Sequence, residues 1–253
     1  MTKIPASVFI ITLNEAQNIG RALQSVADFD QIVVVDSGSS DATLEIARGF
    51  TSDIFTQTWL GYSRQKALAL SKCSHDWCLN IDADEVASPE LIQEIRQTIA
   101  DNNCDALSIP IDDIFLGRVN HPWIRRNAKP RFFRKNAGEY GDAVVHEGFK
   151  VSGKLARAQG AIRHYGERSI AIKVEKNNHY SSLRAEERHR KGKRFNLLKL
   201  LVAFPFAFFR SYILRRALLN GLPGFIGSVV NGFYAFLKEA KLYEVSRSDK
   251  DSN

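Results

Sequence analysis

A chain of 253 residues that is 44% hydrophobic and 25% charged carries enough apolar mass for a full core, which excludes a disordered chain. Its 35 Lys+Arg against 28 Asp+Glu leave +7 at pH 7, a basic surface suited to phosphate-bearing partners such as nucleotides, nucleic acid or anionic lipid. Three cysteines (Cys73, Cys78 and Cys104), odd in number and without a CxxC pair, suggest neither a disulfide framework nor a zinc site; they read as reduced, mostly buried thiols of a cytosolic protein.

The short apolar run in MTKIPASVFIITLNE is too brief for a secretory signal and reads as a first strand. Val8–Leu13, Gln31–Asp36, Asp53–Thr56, Trp77–Ile81 and Ala106–Ile109 are expected as strands. Ala16–Val26, Asp41–Arg48, Tyr62–Lys72 and Pro89–Asp101 alternate with them as helices, the last with Ser88 as N-cap and a proline at the first position. Strands alternating with helices imply a mainly parallel α/β sheet, and such sheets bind ligands beyond the carboxyl ends of their strands. There the apolar runs end in Asn14 and Glu15, in Asp36, and in Asp82 and Asp84.

Asp82-Ala83-Asp84 is an Asp-x-Asp at a strand end, where two carboxylates can face Mg²⁺ or Mn²⁺ shared with a pyrophosphate. The competing reading is a solvated acidic turn before a helix. Asp36 precedes a Ser/Gly turn and is placed to accept hydrogen bonds from a base or ribose, with Asp41 left to cap the next helix.

Taken together, Ile10–Glu15, Val35–Thr43 and Ile81–Glu85 resemble, in order and spacing, the family 2 glycosyltransferases of the GT-A fold. Within that family the chain is most similar to small lipopolysaccharide-core glucosyltransferases that modify inner-core heptose. Val144–Glu147, Ile162–Tyr165 and Gly221–Glu244 extend the likeness over nearly the whole chain. The resemblance implies that Asn14, Glu15 and Asp36 hold the nucleoside, while Asp82 and Asp84 serve the metal and diphosphate. It also implies that Gly61–Ala67 reaches the donor with Lys66 near the phosphates; the family usually carries Asn where this chain has Ala67.

An inverting transfer needs a base for the acceptor hydroxyl. Glu147, after the Val144-Val145 run and in the matching family segment, is the first candidate, with Asp142 the competitor and Glu85 a third. His164 is a candidate third metal ligand, against the reading of a hydrogen-bonded structural histidine. Trp123–Lys135 carries six positive charges interleaved with aromatics. Trp123, Arg125, Arg126 and Arg131 are expected to bind a phosphorylated acceptor by stacking and bidentate pairing, the alternative being a solvated hairpin with Phe132 turned inward.

The last zone reads as helical. Residues 1–168 are expected as the GT-A catalytic domain, with 1–110 binding the nucleotide-sugar and 111–168 the acceptor. Residues 169–244 are expected as a membrane-associating helical region and 245–253 as a disordered tail. Leu200–Phe209 lacks formal charge but is interrupted by Pro205 and is shorter than the roughly 20 apolar residues of a spanning helix, so it is expected at the lipid interface between Arg188–Arg194 and Arg210, Arg215 and Arg216. The alternative is that these helices pack on the core. The expected activity is inverting transfer of a sugar, glucose by resemblance, from a UDP-sugar to a lipid-anchored oligosaccharide, the heptose inner core of lipopolysaccharide. It would take place at the cytoplasmic face of a bacterial inner membrane, on an anionic surface. A polyprenyl-phosphate or other surface-polysaccharide acceptor is the nearer alternative. A basic nucleic-acid-binding protein is the remote one, because it leaves the acids at three strand ends unexplained.

Overall fold

In the computed structural model, residues 2–121, 123–141, 148–167 and 169–251 are described. The chain divides into two compact units: Met1–Asp112 with Arg126–Gly166, and Asp113–Arg125 with Glu167–Asn253.

The first unit is built on one large sheet. In chain order it contains β1 (Ile4–Thr12), α1 (Ile19–Ser25), β2 (Phe29–Asp36), α2 (Thr43–Arg48), β3 (Ile54–Thr56), α3 (Tyr62–Ser71), β4 (Trp77–Asn80), β5 (Glu85–Ala87) and α4 (Pro89–Asp101). It continues with β6 (Ala106–Phe115), whose last three residues belong to the second unit, β7 (Asn127–Arg134), β8 (Gly138–Tyr140), β9 (Phe149–Val151), β10 (Leu155–Arg157) and β11 (Ile162–Glu167), whose last residue does too. The sheet order is β3-β2-β1-β4-β7-β6-β11-β5, with β10 on β6; β8 and β9 form a separate ribbon.

Pairing is parallel across β3-β2-β1-β4. It turns antiparallel where β7 joins β4 and β6, so the mainly parallel sheet expected from the alternation is parallel in its first half and mixed beyond. Val8 and Ile10 enter one core layer with Leu23, Leu79, Leu91 and Ile95, whereas Phe9 and Ile11 enter the opposite layer with Val33, Val35 and Leu70. Both faces of β1 are therefore covered, which explains its uninterrupted apolar run. The three cysteines are buried free thiols. Ser88 caps α4 as expected, its Oγ accepting from Leu91 N at 3.2 Å with Pro89 at the first helical position.

The second unit contains α5 (Ile170–Arg190), α6 (Leu197–Phe209), a π-turn over Arg210–Leu214, a 3₁₀ turn over Ala217–Asn220, and α7 (Leu222–Asp251). Two expectations are corrected here. The segment Asp113–Arg125 was assigned to the acceptor half of the catalytic region but belongs to this helical unit. It is held there by His121 N donating to Asn220 Oδ1 at 2.9 Å, Asn220 Nδ2 donating to Asn120 Oδ1 at 2.7 Å, and Lys173 over the Phe115 ring. The tail expected to be disordered after Glu244 continues α7 to Asp251, because adding a residue to an existing helix costs far less than nucleating one.

Candidate active site

Three strand ends meet at the carboxyl edge of the parallel half. After β1 the chain turns through Asn14, whose φ of 53° is left-handed, a conformation Asn tolerates. Asn14 Oδ1 accepts from Ser40 N at 2.9 Å, Glu15 N donates to Thr43 Oγ1 at 2.8 Å, and Ala16 N donates to Asp41 Oδ2 at 3.1 Å. These bonds stitch the loop after β1 to the loop after β2. Asp41 lies two residues before α2 and accepts from Thr43 N at 3.0 Å, so it holds the approach to that helix without occupying the cap position itself.

Asp36 has a structural task that the sequence did not suggest. Its Oδ2 accepts from Gly38 N at 2.9 Å and Ser39 N at 2.8 Å, and its Oδ1 accepts from the Ser39 hydroxyl. With no exposed surface, the carboxylate fastens the turn that was expected to receive a base or ribose. Gly38 takes φ 102° in that turn, a conformation other residues rarely adopt.

The chemistry concentrates around the Asp-x-Asp. Asp82 O accepts from Glu85 N at 2.9 Å, and Glu85 Oε2 accepts from Asp82 N at 2.8 Å, closing a tight turn after β4. On this turn the two aspartates part company. Asp82 Oδ1 lies 2.8 Å from Lys66 Nζ, and its Oδ2 lies 3.0 Å from Arg131 Nη2. Burial pushes the Asp82 carboxyl up, but Arg131 and Lys66 more than cancel that and hold it below the usual carboxylate range. Asp84 Oδ2 instead lies 3.1 Å from His164 Nε2, while Asp84 O accepts from Tyr165 N at 2.9 Å. Strand β11 delivers His164 there by pairing antiparallel with β5, with His164 opposite Glu85.

The expected ligand set Asp82, Asp84 and His164 is thus not assembled as one group: Asp84 and His164 meet, and Asp82 is taken by two cations. Among the described residues, no three His, Cys, Asp or Glu side chains gather as a metal cluster. The Asp84–His164 pair nevertheless suits Mg²⁺ or Mn²⁺, since a carboxylate and an imidazole leave coordination positions for phosphate oxygens and water. Gly166 keeps the space beside the pair open. A Cβ there would come within 2.5 Å of both Asp84 Oδ2 and His164 Nε2.

Arg131 also departs from expectation. Predicted to bind acceptor phosphates, it is only 6% exposed and clamps the Asp-x-Asp turn: Nη1 donates to Asn80 Oδ1 at 2.8 Å, and Nη2 reaches both Asp82 and, at 2.8 Å, Glu85. Phe132 beside it stacks on Trp77, in keeping with the inward-facing alternative. Arg126 is paired with Asp112 at 3.0 Å and is likewise occupied. Trp123 and Arg125 lie in the helical unit, where Trp123 is 70% exposed beside His121. Glu147 and Asp142 lie outside the described residues. Ala67 is exposed on α3.

Two contributors went unnoticed in the sequence. Gln65 is fully buried; its Nε2 donates to Ser37 Oγ and Gln57 O, and its Oε1 accepts from Leu60 N, anchoring the start of α3 to the end of β2. Asn80 receives Arg131. A polar residue closing an otherwise apolar strand run was the available signal for Asn80, and its adjacency to Lys66 was the signal for Gln65.

The Glycosyl transferase family 2 model matches residues 7–154 of this chain. A lipopolysaccharide core biosynthesis glycosyltransferase, LpsC of Rhizobium meliloti, is 34% identical over 260 residues, covering 96% of this chain and 93% of that protein. An uncharacterized glycosyltransferase of Rickettsia typhi is 34% identical over 259 residues, covering 97% and 89%. Among solved structures, S. aureus TarS aligns with a TM-score of 0.51 and 16% identity, covering 98% of this chain and 55% of that one. A shorter TarS form, 1–349, in complex with UDP-GlcNAc aligns with a TM-score of 0.50 and 15% identity, covering 100% and 93%. The structural likeness speaks for the fold, and the sequence matches speak for descent: the chain is a member of glycosyl transferase family 2 with a GT-A fold.

Proposed function

We propose that this glycosyltransferase moves a hexose, glucose by its resemblance, from a UDP-sugar to the heptose inner core of lipopolysaccharide, with inversion and with Mg²⁺ or Mn²⁺ as cofactor. The observation that carries the proposal is the Asp84–His164 pair beside the Lys66–Asp82–Arg131 cluster at the carboxyl ends of the strands. The likeness to LpsC favours a lipopolysaccharide-core acceptor, and the fold shared with TarS, solved with UDP-GlcNAc, favours a UDP-sugar donor.

In this reading Asp84 and His164 would hold the divalent cation, which would supply positive charge to the diphosphate leaving group. Lys66 supplies a further positive charge at the same strand ends. Asn14 and the turn fastened by Asp36 form the nucleoside side, Asp36 acting through the loop it holds. Removal of the acceptor proton is assigned to Glu147, with Asp142 second, on the sequence argument. The lipid-anchored acceptor puts the enzyme at the cytoplasmic face of the inner membrane.

The test is UDP release from a panel of nucleotide sugars, with Mn²⁺ or with EDTA. One UDP-sugar turning over only with metal supports the proposal and names the donor. Turnover of no donor, without metal-dependent UDP binding, overturns it. A second expected outcome concerns the space beside the metal pair. Gly166→Ala should weaken Mn²⁺-dependent UDP binding about 10–100-fold, the usual cost of disturbing groups that orient metal ligands, as read by titration calorimetry.

A further inference from the structure

Helix α6 and the π-turn after it form an unbroken helical run of 18 residues, Leu197–Leu214, none of it buried. The ten-residue charge-free stretch had understated its length, because the helix continues through Arg210. Its inner side packs on α7: Phe204 meets Gly232, and Phe208 and Tyr212 meet Phe225. Its outer side should be polar in a water-soluble helical pair. It carries instead Leu198, Leu201, Val202, Phe206, Phe209 and Leu214, each roughly half to two-thirds exposed and spaced at one helical turn. Leu222, Phe233 and Phe236 extend the apolar surface onto α7.

The charges around this surface have one sign. From Arg188 to Lys238 the sequence has ten Lys and Arg and no Asp or Glu. Lys193, Arg194, Lys199, Arg210 and Arg216 are exposed. Lys199 and Arg210 stand eleven residues apart, about three full turns, so they share one edge of the helix. Arg215 and Arg216 occupy the tip between α6 and α7.

We propose that the α6–α7 hairpin is a monotopic anchor that lies flat in an anionic bilayer surface. The outer stripe of α6 enters the acyl layer, and the arginines and lysines at both ends stay with lipid phosphates. The arrangement disfavours crossing, since inserting the tip would carry Arg215 and Arg216 through hydrocarbon, and the 18-residue run spans about 27 Å against a core of about 30 Å. The inference deepens the proposed membrane location and rests on it, but not on the identity of the donor or acceptor sugar.

The full chain should co-sediment with phosphatidylglycerol-containing vesicles and bind pure phosphatidylcholine at least about tenfold more weakly. The double variant Leu201→Glu, Phe206→Glu should lose at least about tenfold in vesicle binding while its metal-dependent UDP release without vesicles is unchanged. In a separate readout, Phe206→Cys carrying an environment-sensitive fluorophore should shift to the blue only with the anionic vesicles. Absence of vesicle binding by the wild type would overturn the proposal, as would a wild-type dimer in light scattering that the glutamate variant converts to monomer without change in vesicle binding. Loss of vesicle binding with UDP release intact separates this proposal from the transferase reading; loss of UDP release with vesicle binding intact counts against the transferase reading alone.

Discussion

Asp84→Ala is expected to lower donor turnover by about 10³-fold or more while leaving the protein folded. Asp84 is the carboxylate that meets His164, at 3.1 Å, and together they are the pair suited to a divalent cation. Charge stabilisation of a leaving diphosphate by such an ion is worth several kcal/mol, and each 1.36 kcal/mol is tenfold in rate. The fold should tolerate the change because main-chain bonds also hold the turn, Asp84 O accepting from Tyr165 N at 2.9 Å and Asp82 O from Glu85 N at 2.9 Å. Losing the Asp84–His164 contact, with the Asp84 side chain 15% exposed, should cost about 0.5–3 kcal/mol, short of unfolding the protein. His164→Ala should shift the Mn²⁺ titration in the same direction. Asp82→Ala should not shift it, because Asp82 is engaged by Lys66 and Arg131; its loss should appear in donor affinity and in thermal stability. Rate measurements over a Mn²⁺ series for the three variants check this. Equal shifts in all three would return Asp82 to the metal site.

That contrast between neighbouring aspartates marks where the sequence stopped being informative. The strand run read as Trp77–Ile81 and the acids after it were legible, as were the ends of β1 and β2, because burial on both faces leaves a hydrophobic signature that polar residues terminate, whereas β6 runs to Phe115, six residues past the Ile109 expected. Helix α4 was legible to the residue, since Ser88 and Pro89 mark its start by capping chemistry that needs no tertiary context. The expectation that Asp82 and Asp84 face one ion rested on strand geometry, in which residues two apart share a face. They sit on a turn instead, and the turn sends one toward α3 and β7 and the other toward β11. The fate of Asp36 was hidden for a related reason, because its partners are the amides of its own turn, visible only once that turn is built. The division of the basic Trp123–Lys135 segment between two units depended on Asn220, a hundred residues away, which no local pattern announces.

Arg131 shows the same limit and leads to the largest expected loss of stability. In sequence it is one of six cations in a basic run; in the structure β7 pairs with β4, Leu79 opposite Phe132, and this places the guanidinium under the Asp-x-Asp turn. Arg131→Leu would leave Asp82 without its Arg131 partner, Glu85 without a cation at 2.8 Å, and Asn80 Oδ1 without its donor. Removing one partner of a buried ion cluster costs about 3–5 kcal/mol, and at 2–4 °C per kcal/mol the melting temperature should fall by roughly 6–20 °C. The pH dependence follows from the two carboxyls. Burial, joined by Asp82, already pushes Glu85 above its ordinary range against the pull of Arg131. Its contribution is therefore present below the unfolded value and lost as pH rises through the folded one, while Asp82, held low, contributes above its unfolded range and loses that contribution as pH falls. Without Arg131 both carboxyls rise, so the deficit should be deepest near neutrality and shrink on going from about pH 8 to about pH 5, measured in EDTA. Arg131→Lys keeps one charge but cannot fork to three acceptors, and should recover only part of the loss. A melting temperature within about 2 °C of the wild type for Arg131→Leu would mean that Lys66 alone compensates the cluster, and the turn would then owe its shape to the Asp82–Glu85 backbone bonds.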